Sequence, residues 1–165
     1  MNSEWIQKAE AICGSCGGRC CNGANPPLCT ERIGIIMSHG KYGGICEKRG
    51  YRRIRAKNNG DCAMLNAGRC MIHAFKPETC VAGPFTFAVT DQTLEIFIKH
   101  ESICPLVSHL KSDRGMYDMQ YRRAIDNLTR LVANLPDEEL RIISAIPEDD
   151  TDLVCTLPRP EGRQP

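Results

Sequence analysis

The feature that most constrains this chain is the stretch CGSCGGRCC, which places four cysteines within residues 13–21. Four thiols so close together allow three interpretations: a disulfide framework, a redox-active dithiol, or the ligands of a metal. The chain has 11 cysteines among its 165 residues, a proportion that indicates cross-linking of some kind. An odd number of cysteines fits a fully paired disulfide framework poorly.

The N-terminal region points to a reducing compartment. Residues 1–13 contain no basic segment followed by an apolar one, and the chain has no run of about 18 apolar residues. We therefore expect a cytoplasmic protein without a membrane segment, in which thiols stay reduced and structural disulfides are rare. A thioredoxin-type dithiol opens a helix after a strand, whereas here a predicted helix over residues 3–12 precedes the cysteines. Metal binding is the favoured interpretation.

Glycines between the first cysteines support a metal site, because they let several sulfurs converge and their backbone N–H groups can donate to thiolates. Three more cysteines follow in GDCAMLNAGRCMIHAFKPETC, and another precedes a proline. Together they supply eight sulfurs, enough for two four-thiolate sites. The predicted metal ligands are Cys13, Cys16, Cys20, Cys21, Cys62, Cys70, Cys80 and Cys104.

The adjacent pair Cys20 and Cys21 leaves the number of metal sites open. Successive side chains of an extended backbone point to opposite sides, so the pair would serve two metals unless the loop is tightly turned. The remaining cysteines are Cys29, expected to be a small buried apolar residue, Cys46, whose role stays open, and Cys155, expected to be incidental.

Two histidines lie near the cysteine segments, His39 and His73. Either imidazole could replace a thiolate, but the eight cysteines already suffice for two sites. We expect His73 to pack beside the site rather than to bind the metal.

The best strand signal is PFTFAVTDQTLEIFIKH, which alternates apolar and polar residues on both sides of Asp91 and Gln92. It predicts a hairpin with three apolar pairs on one face: Phe85 with Ile98, Phe87 with Ile96, and Val89 with Leu94. Extended to the open end of the hairpin, this register would bring Cys80 beside Cys104.

The rest of the chain is predicted to be helical or loop-like, which makes the fold class α+β. A second helix is expected from an N-cap at Thr30 to a stop at Gly40, with Ile33, Ile36 and Met37 buried. Helical spacing returns after residue 111, and Pro136 ends one helix and begins another. We predict a small, loop-rich metal-cluster domain with one β-hairpin, flanked by short N-terminal helices and a C-terminal helical pair.

The expected organisation is one domain with a tail. Its parts are a cysteine-rich metal-binding region over residues 1–110, C-terminal helices packed on it over residues 111–146, and a loose acidic and proline-rich tail over residues 147–165.

A basic segment occupies residues 48–57, between two glycine-containing stretches. We interpret it as a solvated basic helix within a partly irregular insertion. The alternative is a contact surface for an anion, an acidic partner or RNA, although only Tyr42 and Tyr51 offer rings for base stacking. The net charge of +1 argues against general binding of polyanions.

Several of these motifs resemble a known family. CGSCGGRCC, Thr30-Glu31, GDCAML, GRCMIHAFKPETC and a final Cys-Pro follow the order of the CxxCxxCC cysteine-cluster family, also called YkgJ-type or zinc- or iron-chelating domain proteins. The resemblance covers roughly residues 13–105. The chain departs from the family pattern in its first motif, which has three residues between Cys16 and Cys20. It also has Lys76 where many members have arginine, and Val81 to Pro84 where other residues commonly follow the last cysteine of that motif. The resemblance implies a metal-binding or iron–sulfur protein.

Zinc and iron–sulfur clusters both accept four thiolates, so the ligand type leaves both open. The N–H groups of the glycine-rich loop favour a 4Fe–4S cluster, as does Cys104-Pro105, which resembles the end of some ferredoxin motifs. The favoured function is electron transfer, or delivery of metal or cluster, to a protein partner. The alternative is a zinc-binding structural adaptor for protein or RNA. No Ser/His/Asp set or phosphate-binding glycine loop stands out, so no catalytic residues are predicted and an enzyme is the third interpretation.

Overall fold

The computed structural model describes residues 3–162, which fold into helices and small antiparallel sheets. The predicted α+β class is confirmed. The helices of this part are α1 (Ser3–Cys16), α2 (Thr30–Ser38), α3 (Glu78–Ala82), α4 (Leu106–Ser112), α5 (Arg114–Asn134) and α6 (Asp137–Ser144). Its strands are β1 (Cys46–Arg49), β2 (Tyr51–Ile54), β3 (Leu65–Asn66), β4 (Arg69–Cys70), β5 (Phe85–Val89), β6 (Thr93–Lys99) and β7 (Thr151–Pro158). None of the described helices is long and apolar enough to cross a membrane.

The predicted hairpin is confirmed as β5 and β6. The structure pairs Phe85 with Ile98, Phe87 with Ile96 and Val89 with Leu94, which is the predicted register. Thr90 and Thr93 close the turn. The Thr90 N–H donates to the Thr93 carbonyl, and the Thr93 N–H donates to the Thr90 hydroxyl oxygen. Since alternate residues of β6 are buried, a shift by one residue would expose that whole apolar set.

The prediction of a loose tail is wrong for Thr151–Pro158, which forms β7 and pairs with β6. The sequence TDLVCTLP contains β-branched and apolar residues suited to a strand, and the neighbouring acids and prolines obscure that signal. Cys155 pairs with Ile96, and its sulfur accepts a hydrogen bond from the hydroxyl of Tyr121 at 3.1 Å. Residues 163–165 of the predicted tail lie outside the described residues.

The basic segment forms a hairpin, so the prediction of a solvated basic helix is wrong. Strands β1 and β2 pair across Gly50, which adopts a left-handed φ of 78° at the turn. Two of the arginines are held by carboxylates: Arg53 by Glu47 at 3.0 Å and Arg52 by Glu139 of α6 at 3.0 Å. The first ion pair joins the two strands of the hairpin, and the second ties the hairpin to α6.

Helix α1 extends beyond the predicted end at residue 12, so Cys13 and Cys16 lie on a helix and not in the loop after it. The prediction of Thr30 as the N-cap of α2 is wrong by one residue: the helix begins at Thr30, and Cys29 occupies the N-cap position. The Thr30 hydroxyl instead accepts a hydrogen bond from Arg52 at 2.7 Å. Met37, predicted to be buried, is 46 % exposed.

Two hydrophobic clusters form the interior. The large cluster lies between the three-stranded sheet and the C-terminal helices, with Leu94 and Leu128 fully buried. The small cluster lies beneath α2 and the β1–β2 hairpin and centres on Leu28, Ile36 and Ile72. Residues of both clusters line the cavity that contains the cysteines.

Candidate metal centre

The eight cysteines predicted as ligands all line one cavity of about 920 Å³. They are Cys13, Cys16, Cys20, Cys21, Cys62, Cys70, Cys80 and Cys104. In the described part of the chain, the wall of this cavity does not include Cys29, Cys46 or Cys155. The fold therefore separates the same two groups of cysteines that the sequence separated.

The thiols reach the cavity from several separate segments. Cys13 and Cys16 lie on α1 three positions apart, which places them on one helix face. Cys70 ends β4 and Cys80 lies within α3. Since these segments are distant in sequence, only the tertiary fold brings their sulfurs to one space.

Cys20 and Cys21 lie in a short 3₁₀ turn, so the backbone curls at this pair. Gly18 precedes the turn with a left-handed φ of 75°, and the Cys21 N–H donates to the Gly18 carbonyl at 2.8 Å. The Cys21 thiol donates a hydrogen bond to Cys20 that lowers the pKa of Cys20 to about 6, aided by the charges of Lys99 and Lys76. The same interaction raises the pKa of Cys21.

Backbone N–H groups point at several of the sulfurs. Burial raises the pKa of Cys62, while the N–H groups of Met64 and Leu65 oppose that shift. Cys70 and Cys104 each receive one such N–H, from the residue two positions further along the chain. Donors of this kind stabilise a thiolate. Of the glycine N–H groups that suggested this feature, that of Gly17 donates to the Gly14 carbonyl instead.

The cavity also holds positive charge beside the thiols. Burial raises the pKa of Cys80 to about 12, and Lys76 opposes it. Burial raises the pKa of Cys104 to about 11, and Lys99 opposes it weakly. Metal-free thiols of this kind are protonated at neutral pH, so a metal must displace their protons.

The donor set suits a thiophilic metal, because it combines eight sulfurs with N–H donors and nearby cations. Within residues 3–162, no group of three or more Cys, His, Asp or Glu side chains stands arranged to hold a metal ion. The sulfurs share a cavity without forming a closed coordination sphere, so side chains must turn toward a bound metal.

The register of the β5–β6 hairpin does not extend to the cysteines. Strand β5 begins at Phe85, whereas Cys80 lies on α3 and Cys104 lies two residues before α4. Both thiols line the cavity, but helix packing and not strand pairing puts them there. The physical reason is that strand pairing ends at Pro84 and Lys99, where the Lys99 N–H donates to the Pro84 carbonyl, and both cysteines lie beyond this last hydrogen bond.

The two histidines differ in position. His39 stacks on Phe75 with ring centroids 4.3 Å apart. His73 lines the cavity, and its Nε2 lies 3.4 Å from the Lys76 ammonium. His73 as a neighbour of the site, and not a ligand, remains our prediction.

Gln120 is a feature that the sequence did not reveal. It is 3 % exposed, and its Nε2 donates to the carbonyls of Val81 at 2.9 Å and Gly83 at 2.7 Å, at the end of α3. Its Oε1 accepts from the Trp5 indole at 3.2 Å. One side chain on α5 thus connects the helix that bears Cys80 to the helix that bears the first two cysteines.

Replacing Gln120 by leucine should lower the free energy of unfolding by about 2 kcal/mol, because buried polar groups lose their partners. The variant should also bind metal more weakly, since α1 and α3 are no longer connected. Chemical denaturation and metal analysis measure the two effects. Gln92→Leu, at the exposed hairpin turn, is the control and should change neither quantity; equal behaviour of the two variants would contradict the prediction.

Comparison with protein families gives one match. A family model named CxxCxxCC, described as "Putative zinc- or iron-chelating domain", matches residues 12–105. The matched range is more than half of the chain and contains all eight cavity cysteines. A search of curated proteins and a search of solved structures each returned no significant match.

Proposed function

Because the chain belongs to the CxxCxxCC family of zinc- or iron-chelating domains, we propose that it holds a 4Fe–4S cluster and serves a protein partner by electron transfer or by delivery of metal or cluster. Family membership establishes a metal-binding domain. The kind of metal and the role are our proposal. The observation that carries it is the convergence of eight thiols on one cavity.

Four of the cysteines form the best ligand set. The charges of Cys20, Cys62 and Cys70 each raise the pKa of Cys80, and those of Cys20 and Cys62 raise the pKa of Cys70. Each of these four thiols therefore interacts electrostatically with the others in the same cavity, and each comes from a different segment. They would hold the cluster, whose chemistry is one-electron transfer. The set of Cys13, Cys16, Cys21 and Cys104 remains for a second metal.

The exposure of the four thiols supports exchange with a partner. Cys20 is exposed, whereas Cys62 is buried. A partner that exchanges electrons or metal must approach the surface, and Cys20 supplies that approach. Lys76 and Lys99 reduce the cost of gathering thiolates behind it. We propose that the protein partner docks beside Cys20.

A structural zinc site is the second candidate, and one observation favours it. Cys62 belongs to the small hydrophobic cluster, and Cys21 and Cys70 pack against it. A closed zinc site there would stabilise a cluster built largely from loops and short strands. In that case the domain would act as an adaptor, with metal serving the fold alone.

Anaerobic purification followed by metal and sulfide analysis separates the two candidates. We expect iron and sulfide together with visible absorbance that bleaches on reduction. A colourless protein with stoichiometric zinc and no iron would contradict the proposed function and support the adaptor. Cys46→Ser is the matched control, because Cys46 lies outside the cavity wall and should leave the spectrum unchanged.

A further inference from the structure

The cavity is larger than thiolate-bound metal requires. Its volume of about 920 Å³ falls in the range of small-molecule pockets, roughly 300–1,000 Å³. Metal–thiolate bonds are only about 2.3 Å long, so a metal or cluster of the proposed function occupies the part of the cavity directly between its sulfurs. The cavity can therefore receive something else beside the metal.

Three basic side chains line this cavity. Lys76 lies 3.4 Å from the Nε2 of His73, measured from the ammonium nitrogen. Arg123 of α5 lines the same cavity. Burial lowers the pKa of His73, and the charges of Lys76 and Arg123 lower it further, so all three groups act on the same part of the cavity. We call these three residues the basic wall.

Negative charge on the protein does not balance the basic wall. Within residues 3–162, neither Lys76 nor Arg123 forms an ion pair with a carboxylate. Glu10 approaches only His73, at 3.9 Å from Nδ1, and is more than half exposed. Arg123 is partly buried, and its burial lowers the pKa of the guanidinium. Removing a guanidinium from water without pairing it with an anion is unfavourable. The arrangement therefore favours binding of an anion beside Arg123.

We propose that the basic wall binds the oxyanion, carboxylate or phosphate, of a small molecule held in the cavity beside the metal-binding cysteines. Arg123 supplies the planar pair of N–H donors that suits two oxygens of one anion. His73 and Lys76 add donors from the segment between β4 and α3. This inference goes beyond the proposed function, because it assigns a ligand site and not a metal.

Part of the positive charge of the basic wall has a simpler role, which is to compensate thiolates. The experiment must distinguish this role from anion binding. Burial raises the pKa of Cys13, Cys70 and Cys80, and the charge of Lys76 opposes that rise and so compensates thiolates. Arg123 is the better probe, because it acts on His73 from a different helix. Its sequence neighbour Arg122 has the same charge on the same helix and is exposed, which makes it a matched control.

The test is calorimetric titration of the purified full-length, metal-loaded protein with inorganic phosphate and, separately, with succinate. We expect saturable binding of at least one anion, weakened about tenfold or more in Arg123→Gln and unchanged in Arg122→Gln. Binding of phosphate alone would identify a phosphorylated ligand, and binding of succinate alone a carboxylate. His73→Asn is the second variant, for use if Arg123→Gln does not fold. It should weaken binding of the same anion.

Three results would overturn the inference: no binding of either anion, equal weakening in the two arginine variants, or joint loss of metal and anion binding in Arg123→Gln. Metal analysis of every variant keeps the two proposals apart. Zinc in place of iron with intact anion binding would contradict the proposed function alone. An iron–sulfur spectrum without anion binding would contradict this inference alone.

Discussion

Replacing Cys62 by serine should remove metal from the protein and destabilise the small hydrophobic cluster. The Cys62 side chain is buried, its sulfur accepts two backbone N–H groups, and its own N–H donates to the Cys21 carbonyl at 2.9 Å. A serine hydroxyl is a poor substitute for a thiolate in a soft-metal site. Structural metal sites contribute apparent free energies of about 10–16 kcal/mol, so losing one of four ligands should cost several kcal/mol.

Metal content per chain and the free energy of unfolding, both measured anaerobically, test this expectation. Cys70→Ser should behave like Cys62→Ser. Cys46→Ser is the sharpest control, because Cys46 packs against the same small cluster but lies outside the cavity wall. Cys155→Ser should also retain metal. If Cys62→Ser and Cys46→Ser bind equal amounts of metal, the assignment of ligands is wrong.

The sequence predicted those parts of the molecule that local patterns determine. The β5–β6 register followed from alternation around Asp91, because half-buried strands must keep their apolar residues on one face. The selection of the eight cysteines that line one cavity followed from density, glycine content and family motifs, and their role as ligands stays a prediction. These signals lie within short segments and depend little on the rest of the fold.

The parts that the sequence missed depend on distant contacts. Strand β7 forms because it can pair with the edge of β6. The acidic residues before it instead predict a solvent-exposed segment. The β1–β2 hairpin is held in part by Glu139, 87 positions from Arg52. Gln120 and Arg123 reach the cavity only because α5 packs beside α3, and no local pattern marks either residue.

Replacing Arg32 by methionine should be the most destabilising change outside the cysteines. The Arg32 Nε donates to Glu78 Oε1 at 2.9 Å, and Glu78 is only 2 % exposed. The second carboxylate oxygen of Glu78, Oε2, is buried and has no hydrogen-bond partner in the described chain. Without Arg32 the carboxylate would be buried and unpaired, which typically costs about 3–5 kcal/mol.

The consequence should reach the metal, because Glu78 begins α3 and Cys80 lies two residues further on. We expect Arg32→Met to lower both the free energy of unfolding and the metal content. The double variant Arg32→Met/Glu78→Met should recover part of the lost stability, since it removes the unpaired charge. Arg114→Met is the control: its ion pair with Asp118 is exposed (86 % and 43 % of the side chains), so the loss should stay below about 0.5 kcal/mol. Equal losses for Arg32→Met and Arg114→Met would show that the Arg32–Glu78 pair does not hold α3 in place.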